Sequence, residues 1–156
     1  MDVEQRLREL GFSLPEPVAP SYRYDAVVRR GEQIFVSGQL PWRDGAIGVT
    51  GLIGADLTTE QGVFAAQLCG LQALAQVKQA LGRLDGMVEL GAVTVYVASA
   101  PTYHEQARVA DGASELFIAA LGAAGRHSRV AVGVASLPRN AAVEVALTGV
   151  VVGSRD

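Results

Sequence analysis

Two apolar stretches near the C-terminus constrain the fold of this chain more than any other part of the sequence. Residues 129–135 and 142–152 alternate valine or leucine with small residues, and the segment 137–140 between them reads Leu-Pro-Arg-Asn. This period-two alternation predicts two β-strands joined by a turn. The face opposite the valines lacks the charges of a solvent-facing side and carries small or uncharged residues, namely Ala131, Gly133, Ala146 and Thr148.

The rest of the pattern predicts an α+β fold with the element order ββ(β)αβαββ. Further strands are predicted at residues 24–28, 33–37, 47–50 and 93–97. A capping box at Thr58 and Gln61 begins a long helix that ends at Gly82, and a second helix covers residues 103–121. Strands that pair partly as hairpins and partly across helices form a mixed sheet with two helices on one face.

The first twenty residues read as an N-terminal extension of one domain that spans residues 1–156. Residues 3–10 are expected to form a short amphipathic helix through Leu7 and Leu10. The prolines that follow end this helix.

Two helices cannot cover both sides of such a sheet, so the uncharged second face needs another cover. Other copies of the chain are the economical solution. The sequence therefore predicts an obligate oligomer.

Composition excludes several classes of function. The net charge is −3 and the basic residues are scattered, so nucleic acid is not an expected partner. The single cysteine, Cys69, cannot form an internal disulfide, and no Cys/His cluster has the spacing of a metal site.

No apolar run approaches the roughly 20 residues that span a bilayer, and no signal-peptide pattern is present, so we expect no membrane contact and a cytoplasmic location. No nucleotide-binding glycine motif occurs, so neither NAD nor ATP is an expected cofactor.

Arg129 and Glu144 are the candidate site residues, because each is the only charged residue of its predicted strand. By alternation Arg129 shares a face with Ala131, and Glu144 shares a face with Ala146. We expect the two residues to lie on neighbouring strands. Both charges should point to the small-residue side, into a cleft between subunits.

The chemistry of this pair suits hydrolysis of a small molecule that carries a carboxylate. An arginine can bind both oxygens of a carboxylate at once, and a partly buried glutamate can hold a water molecule and transfer its proton. The alternative is that Arg129 and Glu144 form a buried salt bridge that fixes the register of the oligomer. The pattern alone does not decide between these readings.

Four other residues with reactive or aromatic side chains are assigned structural roles. His104 and His127 are interpreted as surface or helix-end residues, because neither has a partner placed for a triad or a metal. Cys69 lies inside the first long helix and is interpreted as a packing residue. Trp42 is interpreted as a loop anchor.

Several short motifs together resemble one family. Residues 36–41 read Val-Ser-Gly-Gln-Leu-Pro after a predicted hairpin, Arg129 lies eight residues before Leu137-Pro138, and Glu144 lies seven residues beyond Leu137. This order and spacing resembles the reactive-intermediate deaminases of the YjgF (RidA) type, also called L-PSP endoribonucleases. The resemblance covers residues 22–152.

The resemblance implies a chorismate-mutase-like subunit and a homotrimer whose sheets form a central barrel, with pockets at the subunit boundaries. It also implies that Arg129 binds the carboxylate of a 2-aminoacrylate-like enamine or imine and that Glu144 handles the water that releases ammonia. Tyr24 and Ser37 fall at positions of pocket residues in the family, and Gly38 is expected to allow a close approach to the backbone. Neither a metal nor an organic cofactor is implied.

This chain differs from many members of the family. It is longer, and it has Ala131 in place of a frequent cysteine and Ala146 in place of a frequent second glutamate. Ala110 and Asp111 lie where an asparagine is common on the second helix. A non-catalytic module that binds small carboxylates therefore remains the alternative function, and RNA cleavage ranks last.

Overall fold

The computed structural model describes residues 1–153, which form a five-stranded mixed sheet with the long helices on one side and a separate two-stranded sheet. The strands are β1 (Val27–Arg30), β2 (Gln33–Gln39), β3 (Trp42–Arg43), β4 (Ala46–Ile47), β5 (Val88–Ala98), β6 (Ser128–Val134) and β7 (Val143–Val151). The helices are α1 (Val3–Glu9), α2 (Thr59–Leu81) and α3 (Gln106–Leu121), with short 3₁₀ turns at Gly122–Gly125 and Pro138–Asn140. The predicted α+β class with two long helices on one face is confirmed. Among residues 1–153, no helix combines the length and apolar character needed to cross a lipid bilayer.

The longest helix, α2, begins where the sequence predicted. Thr58 Oγ1 accepts a hydrogen bond from the Gln61 backbone N–H at 3.2 Å, and Gln61 Oε1 accepts one from the Thr58 N–H at 2.8 Å. Gly82 ends the helix with a φ of 82°, a left-handed conformation that glycine adopts without steric strain. The α3 helix begins at Gln106, slightly later than predicted, because a turn at residues 101–102 precedes it.

The five long strands are ordered β1-β2-β7-β5-β6, with β6 parallel to β5 and the other pairs antiparallel. The expectation that the two C-terminal strands are neighbours is wrong, because β5 lies between them. A strand that returns through a helix pairs in parallel with the strand before it. The α3 helix connects β5 to β6 in this way and leaves β6 at the edge, while β7 bonds to both β2 and β5 at the centre.

The side of the sheet that faces the helices forms the core. Its buried members include Val93, Val95, Val97, Val143, Val145 and Leu147, each at most 3% exposed. Beneath them, α2 and α3 pack closely, since a Cβ on Gly112 would lie only 2.3 Å from the Val63 carbonyl oxygen. This close approach of the two helices requires a glycine at position 112.

The opposite side, here called the open face, exposes apolar side chains. Its exposed large residues are Phe35, Val130, Val132 and Val150. Ala146 and Thr148 lie on this face as predicted. Ala131 and Gly133 do not, because the parallel register of β6 pairs each of them with a core-facing valine of β5. The open face is therefore more apolar, and less lined by small residues, than the sequence suggested.

The N-terminal helix α1 contributes to the core. Val3 is 1% exposed and Leu7 is fully buried, whereas Leu10, expected on the apolar side, is 49% exposed because the helix ends at Glu9. Arg6 Nε donates a hydrogen bond to the Ala120 carbonyl oxygen at 2.6 Å, which ties α1 to α3.

The segment that follows α1 is held against α2 by two buried glutamines. The Val18 backbone N–H donates to Gln72 Oε1 at 3.2 Å, and Gln76 Nε2 donates to the Val18 carbonyl oxygen at 2.7 Å. Gln76 also bonds to the side chain of Gln39 at the end of β2, at 3.3 Å. These bonds place residues 18–22 along one side of the cleft described next.

Candidate functional site

A cleft of about 370 Å³ opens where β2 ends and β7 begins. It lies between the segment 18–22 and the Pro138–Asn140 turn. Three of the residues identified from the sequence, Tyr24, Gly38 and Glu144, line it together.

Glu144 reaches the cleft from the open face of β7, where its backbone pairs with Tyr96 of β5. The register between β2 and β7 shifts between Val36 and Gln39, so Gly38 lies in a β-bulge. A Cβ on Gly38 would lie 2.1 Å from Glu144 Oε1, which is far inside van der Waals contact. The missing side chain at position 38 thus provides the space that the carboxylate occupies.

Burial raises the pKa of the Glu144 carboxyl above its ordinary value of 4.5. Within residues 1–153, no cation forms a salt bridge with this carboxylate to oppose the effect. A carboxyl with a raised pKa can exchange a proton with a bound water or substrate closer to neutral pH.

Cys69 lies on the opposite side of β7 and agrees with the packing role given to it. It is fully buried, and its Sγ donates to the Val143 carbonyl oxygen at 3.4 Å. Burial and, to a smaller extent, the negative charge of Glu144 raise the pKa of the Cys69 thiol. A fully buried thiol with a raised pKa is typical of a packing residue.

Ser37 is adjacent to the cleft, but its hydroxyl bonds to the chain backbone. Ser37 Oγ donates to the Asp25 carbonyl oxygen at 2.7 Å, and the Ser37 N–H donates to the Ala26 carbonyl oxygen at 2.9 Å. Both bonds fix the segment that carries Tyr24 into the cleft.

Arg129 lies on the helix-facing side of β6, and the expectation that it shares a face with Glu144 is wrong. Its Nη1 donates to Asp111 Oδ1 at 2.7 Å and to Ser114 Oγ at 3.1 Å, and its Nη2 donates to the Ala107 carbonyl oxygen at 3.2 Å. All three partners belong to α3. The cause is the parallel pairing of β6 with β5, which aligns Arg129 with the core-facing Val93.

Within one chain, Arg129 and Glu144 are far apart. Glu144 lies opposite Tyr96, and Tyr96 lies opposite Val132, which is three residues beyond Arg129 on β6. Two strand spacings and three residues along a strand separate the two backbones by roughly 14 Å. No salt bridge joins the two side chains among the described residues, and Arg129 pairs with Asp111 instead.

His127 is more than the surface or helix-end residue that the sequence suggested. Its Nε2 lies 2.9 Å from Ser114 Oγ, its Nδ1 lies 2.6 Å from the Gly125 carbonyl oxygen, and its ring meets Phe117 edge to face. Because Ser114 also bonds Arg129, His127 helps to orient that arginine. The sequence did not identify Asp111 and Ser114 as partners of Arg129, because only the folded α3 brings them to β6.

Arg139 is the main residue of the cleft that the sequence reasoning missed. Its guanidinium lies over the Trp42 ring, 5.1 Å from the ring centroid. Trp42 therefore contacts the Pro138–Asn140 turn as well as its own loop. The only signal in the sequence was a basic residue directly after Leu137-Pro138.

Within the part of the chain that the structure describes, no three His, Cys, Asp or Glu side chains come close enough together to hold a metal ion. The polar side chains that line the cleft include Glu144, Arg139, Gln39 and Ser21, together with Tyr22 and Tyr24. Such groups bind carboxylates and transfer protons.

Comparison with known proteins places the chain in one group. The sequence model described as "YjgF/chorismate_mutase-like, putative endoribonuclease" matches residues 4–150. The protein TCP17 of Trypanosoma cruzi is 46% identical over 144 residues, which are 92% of this chain and 90% of that protein.

Two crystal structures have nearly the same fold. The protein Atu1372 of Agrobacterium tumefaciens, described as of unknown function, is 44% identical with a TM-score of 0.89, covering 96% of this chain and 91% of that one. A structure from Shewanella oneidensis, described as a "putative endoribonuclease", is 33% identical with a TM-score of 0.92, covering 96% of this chain and 99% of that one.

Proposed function

This chain belongs to the YjgF/endoribonuclease L-PSP family, and on that premise we propose that it hydrolyses reactive enamines or imines derived from amino acids. The products are a 2-keto acid and ammonia. The observation that carries the proposal is the Glu144 carboxyl, which faces a cleft, has a raised pKa and has no cationic partner among residues 1–153 of its own chain.

The reaction needs one water and one group that can take and return a proton. Glu144 removes a proton from water as the oxygen attacks the imine carbon, so a C–O bond forms and the C=N bond becomes a C–N single bond. Glu144 then returns this proton to the nitrogen, which gives an intermediate with a hydroxyl and an amino group on the same carbon. Glu144 next takes the hydroxyl proton and passes it to the amino nitrogen, so that the C–N bond breaks, ammonia leaves and the carbonyl forms. An enamine first takes a proton on carbon and loses one from nitrogen, which gives the imine that enters this path.

Arg129 is proposed to bind the substrate carboxylate from a second copy of the chain. Its own chain places it on the far side of the sheet from Glu144, so a shared site requires a subunit boundary. The apolar open face, with Val130 55% exposed on β6, favours assembly, and a homotrimer is the proposed state. A guanidinium has five N–H donors, and the three contacts to α3 leave others for a carboxylate.

The test is ammonia release from 2-iminopropionate generated in solution, compared with the spontaneous rate. We expect the wild-type protein to accelerate release and the Glu144→Gln variant to lose the acceleration. In the Arg129→Ala variant the rate of ammonia release should fall by roughly 30- to 1000-fold, as expected for removal of a charged donor that stabilises the transition state by about 2 to 4 kcal/mol. The proposal is wrong if wild-type protein gives only the spontaneous rate, or if neither substitution changes it.

The second candidate is a module that binds small carboxylates without chemistry. Arg129 is the anchor in this candidate too, and its ion pair with Asp111 fixes the position of the guanidinium without requiring any chemistry. Calorimetry with pyruvate separates the candidates: micromolar binding without ammonia release supports a module, and weak binding with turnover supports the enzyme. RNA cleavage remains third, because a chain of net charge −3 offers the phosphate backbone little attraction.

A further inference from the structure

We propose that Arg139 forms a second anion subsite in the Glu144 cleft and makes the site selective for substrates with a carboxylate at each end. This inference rests on the proposed function, because it assigns the far end of a ligand whose reacting carbon lies at Glu144. The ligand class is a 2-keto or 2-imino dicarboxylic acid.

The backbone around Arg139 is fixed in an uncommon conformation. Arg139 and Asn140 have φ values of 59° and 57°, in the left-handed region that residues other than glycine rarely adopt. Hydrogen bonds hold the turn: the Gly51 N–H donates to the Asn140 carbonyl oxygen at 3.0 Å, and the Asn140 N–H donates to the Leu137 carbonyl oxygen at 3.2 Å. The turn therefore presents the Arg139 side chain to the cleft in a defined direction.

The guanidinium itself is held at the edge of the cleft. It stacks over Trp42 at 5.1 Å from the centroid, and its Nη2 lies 3.5 Å from Ser21 Oγ. Stacking leaves the N–H groups in the plane of the guanidinium available to an anion. Among residues 1–153, no carboxylate lies within salt-bridge distance of Arg139.

Arg139 of the cleft and the Arg129 proposed from a second copy together favour a ligand with two acidic groups. Arg139 and Glu144 line the same cavity, so the cation and the proposed proton-transfer group face one ligand. The proposed function uses Arg129 of a second copy for the carboxylate next to the reacting carbon. Arg139 is then left for another carboxylate, and the rings of Tyr22 and Tyr24 line the space for the carbon chain between them.

Calorimetry with two ligands of equal chain length tests the subsite directly. The ligands are 2-oxoglutarate, which has a second carboxylate, and 2-oxopentanoate, which does not. We expect wild-type protein to bind 2-oxoglutarate about tenfold more tightly, a modest factor because Arg139 is exposed in the single chain. In Arg139→Gln this preference should disappear while the affinity for 2-oxopentanoate stays unchanged.

Arg43→Gln is the matched control. Arg43 also stacks on an aromatic ring, that of Phe64 at 5.4 Å, but it does not line the Glu144 cleft. This variant should keep the preference, and a melting curve for each variant confirms folding. Arg139→Lys, which keeps the charge and loses the planar donors, should keep only part of the preference.

The outcomes separate this inference from the proposed function. Equal affinity for both ligands in wild-type protein overturns the subsite. An equal loss of affinity for both ligands in Arg139→Gln also overturns it, because Arg139 would then bind the carboxylate that the two ligands share. A tenfold preference that depends on Arg139, in a protein that releases no ammonia from 2-iminopropionate, supports the subsite and overturns the hydrolase. Ammonia release without the preference does the reverse.

Discussion

Gly38 and Glu144 occupy the cleft as a pair, because one leaves the space that the other fills. A Cβ on residue 38 would lie 2.1 Å from Glu144 Oε1 and 2.8 Å from its carboxyl carbon. We expect Gly38→Ala to displace the carboxylate and to lower kcat for ammonia release by at least about tenfold. Gly45→Ala is the control. At a φ of 81° the added methyl strains the backbone, but no atom lies within 4 Å of it. Wild-type kcat in Gly38→Ala would show that the position of the carboxylate does not matter.

The raised pKa of Glu144 has a consequence for stability. Since the carboxyl binds its proton more tightly in the folded state than in the unfolded state, stability falls as the pH rises above 4.5 through the raised value. Glu144→Gln removes this loss, so we expect its Tm at pH 8 to exceed that of the wild type by about 1–3 °C, a small change because the group is partly exposed. Just below pH 4.5 the two melting temperatures should converge. A variant that is less stable than the wild type at pH 8 would contradict the direction of the shift.

Alternation in the sequence identified both charged residues but could orient only one of them. The period of a strand tells which residues share a face, and it does not tell which face meets the helices. Glu144 alternates with large buried valines, so its face was predicted correctly. Arg129 alternates with valines that prove to be exposed, and its partners on α3 are tertiary contacts that no local pattern records.

At the scale of elements, the contact between α2 and α3 depends on Gly112. A Cβ there would lie 2.3 Å from the Val63 carbonyl oxygen, and a backbone atom cannot move aside cheaply. We expect Gly112→Ala to destabilise the protein by about 1–3 kcal/mol in urea unfolding, despite the higher helix propensity of alanine. Glu115→Ala on the exposed side of α3 is the control and should stay within about 0.5 kcal/mol of wild type. An unchanged midpoint for Gly112→Ala would mean that the helices separate easily.

Helices were more predictable than strand order. The α2 helix carries its own start and stop signals in Thr58, Gln61 and Gly82, and the structure uses all three. The position of β7 depends on α3 carrying the chain to the sheet edge before residues 138–140 return it to the centre. A short segment between two strands resembles a hairpin turn in the sequence, and only long-range pairing with β2 and β5 rules that out.

At the scale of the whole molecule, the open face is expected to be the assembly surface. Val130, 55% exposed on β6, lies on it, and Val130→Asp should shift the protein from oligomer to monomer in sedimentation velocity because it puts a charge in an apolar interface. Ile118→Asp is the control, since Ile118 is 43% exposed on α3, away from the open face. A monomeric wild type, or an oligomer that tolerates the aspartate at position 130, would place the interface elsewhere.

The most direct measurement of a shared site is complementation between two inactive variants, Glu144→Gln and Arg129→Ala, assembled together by co-expression. A site at a subunit boundary can combine Glu144 of one copy with Arg129 of another. Protein co-expressed in equal amounts should therefore regain about a quarter of the wild-type rate of ammonia release, since random assembly gives about one boundary in four with both intact residues. Mixed oligomers as inactive as either parent would contradict a site that Arg129 and Glu144 complete across subunits.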